Sequence, residues 1–143
     1  MFFNNNRASI RQAYYDSWRK YKNREILNPT EAIICEVIKE HPEYHATIEN
    51  TNSVDKDFTP ESGLSNPFLH MGLHIAIREQ LTTNRPVGIK NIFTELVNKY
   101  GNSTKVEHLI MENLVEIIMV SQKLGIPPDE EKYLKNLKNL LNS

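Results

Sequence analysis

Four prolines, Pro29, Pro42, Pro67 and Pro86, each open a stretch whose apolar residues recur at helical spacing. Proline suits the first turn of a helix, where its missing N–H had no partner to lose, and disrupts a helix further in. The chain is thereby cut at fixed points into segments that read as helices. None of them shows the sustained apolar/polar alternation of a half-buried strand. Asn28 and Asn66 stand directly before Pro29 and Pro67, where a side-chain oxygen caps free amides. Gly101 closes one helix and Ser103 caps the next; Gly125, with Pro127 and Pro128, ends that one, and Asp129 begins the last. The expected fold is all-α, a single-domain bundle of six to seven helices over residues 1–143. Its helices are expected at about 6–26, 29–40, 42–50, 67–83, 86–100, 103–124 and 129–142.

A chain of 143 residues holds one core without help from disulfides. Its single cysteine, Cys35, lies among Ile33, Ile34, Val37 and Ile38 and reads as a small core residue. Seventeen Lys and Arg against eighteen Asp and Glu leave no basic excess. That balance argues against nucleic acid, whose binding draws on released counterions, and against an acidic membrane surface. No apolar run reaches the length of a membrane span, and Met1-Phe2-Phe3-Asn4 lacks the build of a signal peptide, so the cytoplasm is the expected location. Trp18, with Tyr14, Tyr15 and Tyr21 on the first helix, reads as core rather than as a binding platform.

One connection is long. Residues at about 51–66 are polar and turn-rich, and they lead directly into Pro67-Phe68-Leu69-His70. A loop of that length either covers a site or is a tolerated insertion. Its Asp55, Asp57 and Glu61 lack the glycine and further carboxylates of a calcium loop.

The histidines carry the chemical signal. One helical turn after His41 comes His45, after His45 comes Glu49, after His70 comes His74, and after His108 comes Glu112. Residues at i and i+4 project from one helix face, so both side chains reach a single ion without bending the backbone. Neutral imidazole and carboxylate suit Zn, Fe, Mn or Ni, and helical bundles build such centres from pairs on facing helices. His70 and His74 share the apolar face of their helix with Leu73, Ile77 and Leu81, which makes them the primary candidates. His45 with Glu49 and His108 with Glu112 are candidate helpers. His108, Glu112 and Glu116 form a polar stripe on an otherwise apolar helix, and Lys105 and Lys123 share that side, so ligand and solvated face both remain open. His41 precedes Pro42 and reads instead as a helix-end residue at the dipole of the preceding helix.

At HPEYH (His41–His45), NPFLHMGLHIAIREQ (Asn66–Gln80) and EHLIMENLVE (Glu107–Glu116), the chain resembles a bacterial family, domain of unknown function 1841. Further matches are Tyr15-Asp16-Ser17-Trp18-Arg19-Lys20, Arg85-Pro86-Val87-Gly88-Ile89, Pro128-Asp129 and Tyr133-Leu134. The resemblance spans about Arg7 to Leu141 and implies a small bacterial cytoplasmic protein, with no activity attached.

Two functions follow from the residues. The first is a metal-binding helical bundle with ligands drawn from His70, His74, His45, Glu49, His108 and Glu112 around a divalent transition metal. The second is a non-enzymatic interaction or structural module whose buried histidines are hydrogen-bonded and hold no metal. No serine, cysteine or lysine stands in a nucleophile motif, and no glycine-rich phosphate loop is present, so any catalysis belongs to the metal. The segment Asp129–Ser143 carries Tyr133, Leu134, Leu137, Leu140 and Leu141 at helical spacing. It is expected to dock on this chain, on a second copy or on a partner protein.

Overall fold

The computed structural model describes residues 7–50 and 66–143. The long connection expected at about 51–66 lies, apart from Asn66, outside the described residues, and so do Asp55, Asp57 and Glu61. The fold is all-α. Seven helices follow in order: α1 (Arg7–Lys22), α2 (Pro29–Lys39), α3 (His45–Glu49), α4 (Pro67–Thr83), α5 (Ile89–Tyr100), α6 (Ser103–Leu124) and α7 (Glu130–Leu141). A 3₁₀ turn over Pro42–Tyr44 joins α2 to α3.

Local chemistry sets most boundaries. Asn28 accepts from the Glu31 amide while Glu31 reaches back to the Asn28 amide, a reciprocal capping box. Asn102 and Asp129 accept the Lys105 and Lys132 amides at the starts of α6 and α7. The cap of α6 is therefore Asn102, and Ser103 is its first helical residue. Three boundaries differ from expectation. α3 begins at His45 rather than Pro42, since the turn that Pro42 opens is 3₁₀. α1 stops at Lys22 because Arg24 adopts a left-handed φ of 58°, letting the Glu25 amide bond the Lys20 carbonyl and the Arg24 amide bond the Tyr21 carbonyl. No glycine announces that stop. α5 begins at Ile89 rather than Pro86, because Asn84, itself at φ 52°, ends α4 and offers its Oδ1 to the amides of Gly88 and Lys90. One asparagine thus closes one helix and caps the next.

By its internal contacts the chain forms two compact units, Met1–Ile75 and Ala76–Ser143, and the boundary falls inside α4. In the first unit α1 packs against α2 and α3. Tyr14, Tyr15, Trp18, Ile34, Cys35, Val37, Ile38, Ile48, Phe68, Met71 and Ile75 form its core. Tyr14 stacks on Phe68 at 5.7 Å, and its hydroxyl donates to the Phe68 carbonyl at 3.3 Å, so a fully buried phenol keeps a partner. Tyr14, Tyr15 and Trp18 are core, as expected, but Tyr21 is 39 % exposed and lies outside it, stacked on Trp18. Cys35 is buried, with Sγ 3.1 Å from the Ser17 carbonyl. Burial pushes its thiol up to about 11. At pH 8 the folded thiol is therefore expected to react with a disulfide reagent about a hundredfold more slowly than the unfolded chain. Equal rates in native buffer and in denaturant would contradict that burial.

In the second unit α5, α6 and α7 contact one another in all three pairings. Ala76 and Ile77, Ile89, Ile92 and Leu96, Val106, Ile110, Met111, Leu114 and Ile117, and Tyr133 and Leu137 are its buried apolar residues. The C-terminal helix docks on this chain: Tyr133 Oη donates to Gln80 Oε1 at 2.8 Å, and Lys99 Nζ donates to the Leu140 carbonyl at 2.7 Å. The unit also holds a part-buried ion pair, Arg78 Nε to Glu107 Oε1 at 3.2 Å. No helix among the described residues is long and apolar enough to cross a membrane.

Candidate metal centre

The site begins with the residue that ends α2. Pro42 keeps the preceding residue out of the helical region, and His41 accordingly sits at φ −126° and ψ 64°. Its ring folds back on the last turn of α2, where the Val37 carbonyl, already accepting the Glu40 amide at 3.2 Å, has a second lone pair to offer. Nδ1 lies 2.7 Å from the Val37 carbonyl. A carbonyl only accepts, so the proton is on Nδ1 and the lone pair is on Nε2. A carbonyl holding the far nitrogen in this way is how ligating imidazoles are commonly oriented.

The second element is α4. Asn66 caps it through the Leu69 amide at 3.1 Å, which sets the register of the first turns. His70 and His74 then stand one turn apart on one face. Their Nε2 atoms are 3.2 Å apart and their rings meet edge-on at 4.8 Å. The His41 ring lies 5.2 Å from that of His70 and 4.9 Å from that of His74. One candidate ligand nitrogen from each of the three lies within 4.8 Å of the other two.

These distances suit an ion. Imidazole nitrogens bound to zinc at 2.0–2.1 Å in a tetrahedron stand about 3.4 Å from one another. The His70–His74 pair is close to that spacing, and the candidate nitrogen of His41 lies within 4.8 Å of theirs. His41 is 8 % exposed and His74 is 2 % exposed, while His70 is half-buried and leaves one side of the group reachable. Tyr44 flanks it, parallel to His41 at 5.6 Å and edge-on to His70 at 6.2 Å. Of two neutral imidazole nitrogens facing each other at 3.2 Å, one donates to the other, so an ion held by both requires the donor ring's proton to shift to its Nδ1.

The structure thus brings together His70, His74 and His41, and none of the other candidates joins that group among the described residues. His45 donates Nε2–H to the Ile38 carbonyl at 2.8 Å and packs its ring 4.9 Å from Trp18. Glu49 pairs with Lys22 Nζ at 3.0 Å and accepts the Trp18 indole N–H at 3.3 Å. Those two contacts, Lys22 foremost, hold its carboxyl below the usual range. His108 and Glu112 are exposed on α6, in the polar stripe with Glu116. Neither joins a group of three or more candidate ligands among the described residues.

His41 is the residue that the spacing argument set aside. It does interact with the end of α2, but that uses one nitrogen and orients the other. The available signal was the pair His41-Pro42: a histidine held at a helix end by a proline has its second nitrogen to give.

The family model for a domain of unknown function (DUF1841) matches residues 6–139. No curated protein and no solved structure matches the chain.

Proposed function

The chain belongs to the family of domain of unknown function 1841, whose name assigns no activity, and we propose from the site alone that it is a metal-binding protein. His41, His70 and His74 would hold one divalent transition metal as an all-imidazole set, leaving a fourth position for an exogenous ligand. The observation that carries this reading is the bond from His41 Nδ1 to the Val37 carbonyl beside the His70–His74 pair. It leaves the lone pair on Nε2, as a bound ion requires. Among the metals that suit imidazole, zinc and nickel fit three nitrogen donors better than manganese, which prefers oxygen.

Elemental analysis of untagged protein tests this reading. Near-stoichiometric metal is expected, and it should fall to background in the His70→Ala, His74→Ala double variant. A metal-free protein that takes up neither zinc nor nickel on dialysis, and folds equally well with and without chelator, would defeat the proposal. Such a result would favour histidines that only brace the core.

A further inference from the structure

We propose that a second copy of this chain docks in the groove between the end of α6 and the start of α7, giving a two-fold dimer through the second unit. Among the described residues, half of the eight large apolar side chains that stand exposed fall between positions 119 and 126. They are Met119, Val120, Leu124 and Ile126, each between 46 % and 62 % exposed. All four line one groove of about 480 Å³, so they form a patch rather than a scatter. Four such side chains amount to roughly 300–400 Å² of apolar surface, a size at which exposed patches mark interaction sites.

The groove has fixed walls. Gly125 turns the chain back at φ 65°, the Ile126 amide donates to the Ser121 carbonyl at 3.1 Å, and the Ser121 hydroxyl donates to the Ile126 carbonyl. On the α7 side, Asp129 Oδ1 accepts the Lys132 amide at 3.0 Å and sets the first turn. A partner meets backbone that is already ordered, which lowers the entropy cost of docking.

Charge and area select a second copy as the occupant. The rim carries both signs, Glu116 and Asp129 with Lys132, so two copies can meet with unlike charges facing. A rim of one sign would repel itself. The chain as a whole has a formal net charge of −1, which leaves little long-range repulsion between copies. With the polar rim added, the contact reaches the lower end of the roughly 1,200–2,000 Å² that specific dimers bury in total. The dimer is therefore reversible and concentration-dependent.

Sedimentation equilibrium of the full chain is the test, run with chelator so that no ion bridges two copies. The mass is expected to rise from that of one chain toward that of two across the micromolar range. M119E and L124K introduce charges of opposite sign, and each is expected to weaken dimerisation at least about tenfold by burying that charge in the contact. A shared loss reports apolar burial rather than charge pairing. V87D alters an exposed residue outside the groove and is expected to leave the dimer unchanged. All three side chains are exposed, so circular dichroism should show three folded variants. A chain that stays monomeric up to millimolar concentration would overturn the proposal and leave the groove to a different protein. A dimer that M119E and L124K leave intact would overturn it by placing the contact elsewhere.

Discussion

Zinc at a hundredfold excess over its dissociation constant is expected to stabilise the protein by about 2.7 kcal/mol, because an ion bound only by the folded chain shifts the unfolding equilibrium by mass action. For a chain of this length that corresponds to a rise of roughly 8 °C in the melting temperature. The increment should vanish in His74→Ala. That variant also removes a buried imidazole and its contact with His70, so its melting temperature without metal will fall for reasons of packing. The diagnostic quantity is therefore the difference with and without zinc, measured for each protein against its own baseline. His45→Ala supplies the control. Its ring is committed to the Ile38 carbonyl and to Trp18, so losing it should lower the baseline and leave the zinc increment intact. An increment that survives in His74→Ala, or disappears in His45→Ala, would place the ion somewhere other than the three-imidazole group.

The second large effect is expected in the second unit. Glu107 is 6 % exposed and accepts from Arg78 Nε at 3.2 Å, joining α4 to α6. Removing the carboxylate takes this counter-charge from a half-buried guanidinium, and Glu107→Ala should destabilise the protein by about 1–3 kcal/mol. The double variant Arg78→Met, Glu107→Leu removes both charges at similar volume. It is expected to recover most of that loss, since a buried pair often gains little over well-packed apolar groups. Denaturant midpoints for the single and double variants decide the matter. A loss of less than about 1 kcal/mol in Glu107→Ala would mean that water compensates Arg78, as at an exposed pair.

Much of the fold was legible because its signals are local. Asn28 before Pro29 and Asn66 before Pro67 describe caps that form within four residues of themselves, and the structure shows both. Gly101 and Gly125 close α5 and α6 in left-handed conformations, as their positions suggested. The end of α1 was not legible. Arg24 takes a conformation that glycine or asparagine usually supplies, and Arg24 carries no mark of it in the sequence. The start of α5 was misplaced because Pro86 has two ordinary uses, the first turn of a helix and a tight turn. Asn84 settled which of them applied.

The candidate site divides along the same line. His70 and His74 are neighbours by helical geometry, so their pairing follows from the i,i+4 spacing and from the apolar face they share. The same spacing describes His45 with Glu49 and His108 with Glu112 equally well. Spacing says which side chains share a helix face but not what that face meets, and those residues meet Trp18, Lys22 and solvent. His41 makes the converse point. It belongs to no helical pair within the group, and it joins His70 and His74 only because the first unit brings the end of α2 beside α4. By itself the sequence determined an all-α chain, most of its caps and one pair of histidines on a shared helix face, since each depends on residues within a turn or two of one another. The third imidazole, and the partners that His45 and Glu49 take instead, were decided by tertiary structure. Those choices depend on which surfaces are buried together, and on which carbonyl at the end of α2 takes the second nitrogen of each ring.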